Sequence, residues 1–300
     1  MQQFAGKVAV ITGAGSGFGA AFARQAQRLG MRLVLADVQA DALDRQVSAL
    51  GERGADVLGV RCDVSSDADV GRLARAAYDR FGAVNLLVNN AGVAGTGGYL
   101  WENSEADWRW TLGVNLMGVA NGIRHFVPRM IAAGLDQDSG HIVNSASIAG
   151  WLCAPLLGVY NASKAAVVSA SETLYHDLKL AGSRIGVSVL CPAFVPTAIF
   201  ASDRNRPAEL ANASAPTASQ RLARAAGEKA VAGGRLGADE VAAQTFEAIG
   251  ANRFFVFTHP QIMPMVRARC DAALAGEAPA DPYAQRPGAR PPRADGTSPR

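Results

Sequence analysis

The sequence has few of the residues that bind metal ions, with only four cysteines and four histidines among 300 residues. The cysteines are scattered, without the spacing of metal ligands, and the histidines are equally dispersed. This pattern favours free thiols in a reducing compartment. No metal site is therefore predicted.

Charge is also scarce, since charged residues make up 18% of the chain and the formal net charge is +3. Residues 281–300 hold four arginines and two aspartates, so the end of the chain contributes +2 of that total. The remaining body is nearly neutral and offers no basic surface of the kind that binds nucleic acid. We therefore predict no nucleic-acid partner.

Long hydrophobic runs are missing as well, although 49% of the residues are hydrophobic. No stretch of 18 or more apolar residues occurs, and the first residues lack the charged and apolar regions of a signal peptide. We expect a cytoplasmic globular protein with no membrane partner.

What the chain does contain is seven short, continuously apolar runs separated by segments long enough for helices. Continuous rather than alternating apolar runs are typical of strands that are covered on both faces. The alternation predicts an α/β fold in a single domain: a doubly wound, seven-stranded parallel sheet with helices on both faces. The predicted strands are residues 7–13, 31–37, 56–64, 84–92, 140–147, 184–192 and 254–259.

The domain prediction has three parts. Residues 1–278 form the catalytic body, in which no internal linker or repeat occurs. Residues 196–235 form an irregular excursion rich in Ala, Ser and Arg, which is interpreted as a lid or a disordered segment. Residues 279–300, rich in Pro and Arg, are predicted to be a flexible tail.

A glycine-rich turn follows the first strand in the sequence "VAVITGAGSGFGAAFARQ". Glycine lets the backbone approach a ligand closely, and the start of the following helix offers free N–H groups and a positive dipole end to a pyrophosphate. A strand, a glycine-rich turn and an Ala-rich helix in this order predict a dinucleotide-binding loop. Its residues are Gly13, Gly15, Ser16, Gly17, Phe18 and Gly19.

Carboxylates end the second and third predicted strands. Asp37 can accept hydrogen bonds from both ribose hydroxyls and would repel a 2′-phosphate, while its neighbours Ala36, Val38 and Gln39 supply no cation. NAD is therefore predicted rather than NADP, although an Asp at a strand end is also a common helix cap. Asp63, followed by Val64, is placed near the adenine amino group, with a cap as the alternative.

A tyrosine and a lysine stand four residues apart in "GVYNASKAA", residues 158–166. On a helix, Tyr160 and Lys164 share one face, so two groups that normally titrate near pH 10 lie side by side. An ammonium next to a phenol favours the tyrosinate form. The pair predicts a general acid/base tyrosine whose pKa is lowered by the lysine.

Several motifs together resemble the short-chain dehydrogenase/reductase family over residues 5–260. They are "TGAGSGFG" (12–19), "NNAG" (89–92), Asn115 in "VNLMG", Ser147 in "NSAS" and "YNASK" (160–164), in the family's order and spacing. The resemblance implies a Rossmann-type fold and hydride transfer between a substrate carbon and a nicotinamide. It assigns the catalytic residues Ser147, Tyr160, Lys164 and Asn115, with Ser145 as the rival of Ser147.

The roles follow in part from chemistry and in part from the resemblance. Ser147 would hold the substrate oxygen in line with Tyr160. By resemblance, Lys164 also binds the nicotinamide ribose and Asn115 positions a proton-relay water, while Asn90 has a structural role. The predicted cofactor contacts are the loop residues above with Asp37, Val38, Asp63, Val64, Asn89, Ala91, Gly92, Tyr160, Lys164, Pro192, Val195 and Thr197.

One stretch departs from the family pattern. In "CPAFVPT" (191–197), Ala193 replaces the usual glycine while Thr197 is retained. Ala193 is tolerable if its φ is negative. The predicted substrate wall is apolar and comprises Val93, Ala94, Ile148, Ala149, Trp151, Leu152, Leu157, Phe194, Ile199 and Phe200, without an adjacent Arg or Lys.

These features predict an NAD-dependent dehydrogenase that interconverts a hydrophobic secondary alcohol and its ketone. The alternatives are an acyl-chain or polyketide ketoreductase, or a catalytically idle cofactor-binding regulatory protein. Relatives of this kind commonly assemble through two helices, so a homotetramer or homodimer is expected.

Overall fold

Seven short strands form one parallel sheet in the computed structural model, which describes residues 1–284 and residue 290. They are β1 (Val8–Thr12), β2 (Arg32–Asp37), β3 (Val57–Arg61), β4 (Leu86–Asn89), β5 (His141–Ser145), β6 (Gly186–Leu190) and β7 (Phe255–Val256). Their spatial order is β3-β2-β1-β4-β5-β6-β7. The prediction of a doubly wound parallel sheet in a single domain is thereby confirmed.

Helices connect the strands and cover both faces of the sheet. They are α1 (Gly17–Arg28), α2 (Ala40–Gly51), α3 (Asp67–Phe81), α4 (Glu105–Leu112), α5 (Gly118–Ala132), α6 (Ala149–Leu152), α7 (Gly158–Leu180), α8 (Ala218–Ala232), α9 (Ala238–Gly250) and α10 (Met263–Leu274). A π-helical turn (Gly113–Met117) joins α4 to α5, and 3₁₀ turns occupy Leu100–Glu102, Ile199–Asn205, Ala208–Leu210 and Pro260–Ile262. Within the described residues, no helix combines the length and the apolarity needed to cross a membrane.

Two apolar layers hold the helices against the sheet. Alternate strand residues such as Ile11 and Leu33 pack with α1, α2 and α9 on one face, around Phe22 and Phe246. The other strand residues pack with α3, α5 and α7 on the opposite face, around Phe126. Because every central strand is buried on both faces, its sequence is a continuous apolar run.

The excursion after β6 has more regular structure than the sequence indicated. It contains two 3₁₀ turns and the 15-residue helix α8, whose first turn is closed by a capping box between Thr217 and Gln220. The predicted flexible tail falls largely outside the described residues. Of its described part, Asp281 forms an ion pair with Arg290.

The sheet has a topological switch between β1 and β4, where the chain reverses its direction of winding. Ligands of such sheets bind at the carboxyl ends of the strands beside the switch. The carboxyl ends of β1, β2, β4, β5 and β6 all open onto one large cavity of about 1430 Å³. The fold therefore brings the predicted site residues to a single place.

Candidate active site

The glycine-rich turn between β1 and α1 forms one wall of the cavity. At Gly13, where φ is +66°, a Cβ atom would lie 2.9 Å from the Cα of Ala91, so the turn can pass close to the end of β4. Gly15, Ser16, Gly17 and Phe18 line the cavity with it. Free N–H groups at the start of α1 and this open backbone suit a pyrophosphate.

Gly19 belongs to the same turn but does not line the cavity. A Cβ atom at Gly19 would collide with the carbonyl group of Gly13. The prediction of a cofactor contact at Gly19 is therefore corrected to a packing role, in which the absence of a side chain lets α1 start directly against the turn.

Asp37 ties the turn to the end of β2. Its Oδ2 accepts a hydrogen bond from the backbone N–H of Gly15 at 2.8 Å, and its Oδ1 accepts one from the backbone N–H of Gln39 at 2.9 Å. Asp37 and Val38 both line the cavity. The carboxylate thus lies where the ribose of a dinucleotide would be recognised.

Asp63 and Val64 line the next part of the same wall. Oδ1 of Asp63 accepts hydrogen bonds from the backbone N–H and the hydroxyl of Ser65, at 2.9 and 2.7 Å. The helix cap of α3 is Ser66, so Asp63 closes a turn rather than capping that helix. Its position at the cavity leaves contact with an adenine as its predicted role.

The two asparagines of "NNAG" have opposite orientations, and the structure corrects one prediction here. Asn89 is buried away from the cavity, and its Nδ2 donates to Oδ1 of Asn144 at 2.9 Å. Asn90 lines the cavity, and its Nδ2 donates to the carbonyl oxygen of Thr12 at 2.9 Å. Asn89 is therefore a structural link between strands, and Asn90, Ala91 and Gly92 form the cavity wall.

Ser147 and Tyr160 lie on the cavity wall at the carboxyl end of β5. The hydroxyl of Ser147 donates to the carbonyl oxygen of Pro192 at 3.3 Å and accepts from the backbone N–H of Ala149 at 3.1 Å. Burial raises the pKa of Tyr160 above its ordinary value, and a hydrogen bond with Ser147 partly offsets that rise. The two hydroxyls are therefore neighbours.

The rival serine, Ser145, also lines the cavity but makes different contacts. Its hydroxyl donates to Oδ1 of Asn90 at 3.4 Å. Its carbonyl oxygen accepts a hydrogen bond from Nζ of Lys164 at 2.8 Å. Because Ser147 is the serine that interacts with Tyr160, its position favours the assignment of Ser147 as the residue that binds substrate.

Lys164 is buried, with 4% of its surface exposed, and lies one turn after Tyr160 on α7. Its Nζ is 5.7 Å from the ring centroid of Tyr160. Burial lowers the pKa of Lys164 to about 8, and the same desolvation raises the pKa of Tyr160. In the free protein, desolvation therefore raises the pKa of Tyr160, and a lowering of this pKa by Lys164 together with the positive ring of the oxidised cofactor stays a prediction.

Asn115 lies in the π-helical turn and is completely buried. Its Oδ1 accepts from the backbone N–H of Val93 at 2.8 Å, and its Nδ2 donates to the hydroxyl of Ser163 at 3.0 Å. A Cβ atom at Gly92 would lie 3.3 Å from Asn115 Oδ1 and 3.5 Å from Lys164 Nζ. Asn115 thus connects the loop after β4 to α7 beside the lysine, and its role in proton relay stays a prediction.

The loop after β6 forms another part of the cavity wall. Pro192, Val195 and Thr197 all line it, and Thr197 lies 3.5 Å from the position of a Cβ atom on Gly17. Ala193 is not among the residues with a positive φ. The alanine that replaces the family's glycine is thus accommodated, as the sequence required.

The apolar wall is largely as predicted, with one correction. Nine of the ten predicted residues line the cavity, but Trp151 does not. Its ring packs edge-on against Phe255 and Phe257, at centroid distances of 5.8 and 5.9 Å. The sequence missed the lining residues Leu210, Leu222, Ile262, Met265 and Tyr283, and the exposed cations Arg109, Arg204, Lys229 and Arg235.

A buried ion pair fastens the excursion to the body of the protein. Nη1 of Arg206 lies 2.7 Å from Oδ1 of Asp107, and the side chains are 11% and 1% exposed. Nε of Arg206 donates to the carbonyl oxygen of Leu210 at 2.6 Å, and the guanidinium lies over the ring of Trp110. Asp107 also accepts from Asn212 and Thr96. We call the pair of Asp107 and Arg206 the latch.

Removing one half of the latch should destabilise the protein strongly. In Arg206→Met the carboxylate of Asp107 stays buried without its cation, which typically costs roughly 3–5 kcal/mol. The matched control is Arg224→Met, because Arg224 pairs with Asp203 at 2.9 Å but both side chains are about half exposed. That change should cost under about 1 kcal/mol. Urea unfolding of both variants measures the two losses, and equal losses would refute the structural role of the latch.

Comparison with known proteins agrees with this geometry. A family model described as short chain dehydrogenase matches residues 7–208. A crystal structure of a short chain dehydrogenase/reductase from Burkholderia phymatum in complex with NAD is 54% identical, with a TM-score of 0.91, and the match covers 94% of this chain and 99% of that one.

Two curated relatives are more distant. A CLA biosynthesis dehydrogenase/reductase of Lactiplantibacillus plantarum is 35% identical over 93% of this chain and 97% of its own length. A 1-deoxy-11-beta-hydroxypentalenate dehydrogenase of Streptomyces exfoliatus is 33% identical over 88% and 87%. Because the family match covers more than half of the chain and these relatives match along most of its length, the chain belongs to the short-chain dehydrogenase family.

Proposed function

We propose that this oxidoreductase interconverts a hydrophobic secondary alcohol and its ketone with NAD, and that Tyr160 is the general acid/base. The observation that carries the proposal is that Ser147, Tyr160 and Lys164 line the same cavity as the glycine-rich turn and Asp37. Hydride transfer requires acid/base groups and a binding site for the dinucleotide, and this cavity has candidates for both.

The glycine-rich turn and the residues around it fit a dinucleotide. The lack of side chains at Gly13 and Gly15 leaves backbone exposed where a Cβ atom would contact Ala91 or Asp37. Asp37 would bind the adenosine ribose, and Lys164 and Thr197 would hold the nicotinamide end. Bound NAD supplies the site that accepts or returns the hydride. The relative from Burkholderia phymatum, solved with NAD, supports NAD over NADP.

The proton moves through this chain's own side chains. During alcohol oxidation, the phenolate of Tyr160 accepts the hydroxyl proton of the substrate, while the hydroxyl of Ser147 holds the same oxygen. In ketone reduction the phenol returns the proton. Lys164, whose Nζ donates to the carbonyl oxygen of Ser145, keeps a cation beside the site. That charge, together with the charge of the oxidised cofactor, opposes the rise in the pKa of Tyr160 caused by burial.

The substrate class is inferred from the apolar residues that line the cavity together with Ser147. Ile148, Leu152, Leu157, Phe194 and Phe200 present an apolar surface, and the cavity volume of about 1430 Å³ exceeds the range of about 300–1,000 Å³ typical of sites for one small ligand. Such a cavity suits a cofactor together with a bulky apolar alcohol or ketone.

A second candidate is an acyl-chain ketoreductase. The exposed cations Arg109, Arg204, Lys229 and Arg235 at the rim would favour a substrate with an anionic carrier. A third candidate, a regulatory protein that binds cofactor without turnover, is disfavoured by the complete set of Ser147, Tyr160 and Lys164. A cytoplasmic location and a homotetramer or homodimer stay predictions.

A substrate panel tests the proposal. We expect NADH formation with 1-phenylethanol at a kcat/KM at least about tenfold higher than with mannitol or 3-hydroxybutyrate. The polar groups of those two substrates would lose hydrogen bonds to water on binding, and the apolar wall offers no hydrogen bonds in their place. The same panel with NADP measures the cofactor preference. Faster reduction of an acetoacetyl thioester would favour the ketoreductase, and NADH binding without any turnover would favour the regulatory protein.

A further inference from the structure

His259 lies after β7 and before α10, about a hundred residues beyond Tyr160, and its imidazole lines the cavity. It is next to the segment formed by Pro192 and Ala193, which we call the platform because it holds the catalytic serine. The carbonyl oxygen of Pro192 accepts from the hydroxyl of Ser147, and the following residue, Ala193, donates its backbone N–H to Nδ1 of His259 at 3.3 Å. The imidazole is thereby fixed relative to Ser147.

The contact with Ala193 indicates which ring nitrogen carries the proton. The backbone N–H of Ala193 can only donate, so Nδ1 must accept. The hydroxyl of Thr258 also lies 2.7 Å from Nδ1, and which of these two atoms donates depends on the ring tautomer. Burial lowers the pKa of His259, which favours the neutral ring. In a neutral imidazole with an accepting Nδ1, the proton is on Nε2.

The Nε2–H group therefore lies on the ring edge away from Ala193 and Thr258. Close to His259 along the chain, Ile262 and Met265 line the same cavity without a strong acceptor, and Gln261 lines it with a side-chain amide. An oriented donor in a mostly apolar wall is the kind of group that fixes the orientation of a ligand.

We propose that His259 is a specificity-determining residue whose Nε2–H donates a hydrogen bond to a second oxygen of the substrate. This oxygen is an ether, hydroxyl or carbonyl oxygen distinct from the one that Ser147 and Tyr160 handle. The inference rests on the proposed alcohol–ketone activity. It narrows the substrate class from apolar secondary alcohols in general to those that carry an additional hydrogen-bond acceptor.

Two substitutions at His259 separate the two ring nitrogens. In His259→Asn the side-chain oxygen can replace Nδ1 as the acceptor for Ala193, but no donor remains at the position of Nε2. In His259→Gln the longer side chain can place an amide N–H near that position while the contact with Ala193 is weakened. A purely structural role of His259 would therefore make the Gln variant the more impaired one.

The substrate probes are 2-methoxy-1-phenylethanol and 1-phenyl-1-butanol, which differ by one ether oxygen in place of a CH₂ group. We expect His259→Asn to lower kcat/KM for the methoxy probe about tenfold, the size of one neutral hydrogen bond, and to leave the butanol within about twofold. His259→Gln should restore most of the discrimination between the probes. NADH affinity should be unchanged in both variants.

The outcomes separate the role of His259 from the proposed activity. If the unaltered enzyme oxidises both probes and His259→Asn changes their rates by the same factor, the role of His259 is refuted while the proposed activity stands. If the unaltered enzyme binds NADH but turns over neither probe in either direction, the proposed activity fails and the inference fails with it.

Discussion

Replacing Tyr160 by phenylalanine should lower kcat by about 10³-fold while NADH affinity stays within a fewfold of the unaltered enzyme. The substitution removes only the phenolic oxygen, so the ring keeps its packing on α7 while the proton loses its acceptor. Single-turnover NADH formation and NADH fluorescence titration measure the two quantities. The remaining rate should come from the cofactor and Ser147 alone.

The chain contains a matched control for this experiment. Tyr175 and Lys179 have the same four-residue spacing on the same helix, and Nζ of Lys179 lies 4.3 Å from the ring centroid of Tyr175. Tyr175 does not line the cavity, so Tyr175→Phe should leave kcat unchanged. Equal losses in the two variants would show that the spacing, and not the location in the cavity, matters for activity, and would contradict the proposed role of Tyr160.

The pH profile is a further check on Tyr160. Because burial raises the pKa of Tyr160, the phenol is protonated at neutral pH in the free protein. Alcohol oxidation needs the phenolate, so kcat/KM for oxidation should rise with pH, and kcat/KM for ketone reduction should fall as the phenol loses its proton. The residual rate of Tyr160→Phe should lack this dependence.

Replacing Asp37 by serine should shift the ratio of kcat/KM with NAD to kcat/KM with NADP by about 100-fold towards NADP. Asp37 repels a 2′-phosphate, and the Coulomb energy of two charges at about 4 Å is roughly 4 kcal/mol at an effective dielectric of 20, before screening by salt. Affinity for NAD should also fall, because the carboxylate no longer binds the ribose. The ratio is therefore the informative measurement.

Arg61 provides a control for this test. Arg61 pairs in register with Asp37 on the neighbouring strand, and its Nε lies 3.3 Å from the carbonyl oxygen of Val38. In Asp37→Ser this guanidinium can approach a 2′-phosphate. The double variant Asp37→Ser, Arg61→Gln should lose most of the gain with NADP. An unchanged ratio in the single variant would contradict the assignment of Asp37 to the ribose.

Two predicted side chains, those of Asn89 and Trp151, do not face the cavity, because sequence does not show which way a side chain points. Asn89 and Asn90 are adjacent and alternate at the end of β4, so one is buried between strands and the other faces the cavity. Trp151 lies among predicted wall residues, but α6 turns its ring towards Phe255 and Phe257. In each case the orientation of a short element within the fold decides the contact.

Other features had no signal in the sequence at all. The latch joins residues 99 positions apart, Arg61 meets Asp37 only through strand pairing, and His259 belongs to no motif. The direction in which the pKa of Tyr160 shifts in the free protein could not be predicted from sequence either, because desolvation depends on how completely the surrounding elements exclude water.

The sequence by itself determined the parallel sheet, the dinucleotide turn and the spacing of Ser147, Tyr160 and Lys164, because each depends on residues that are close along the chain. Only the tertiary structure decided which asparagine faces the cavity, how burial affects the pKa of Tyr160 and Lys164, and that His259 lies beside the platform of Ser147. These properties depend on distances between residues far apart in sequence, and such distances are fixed only when the elements pack together.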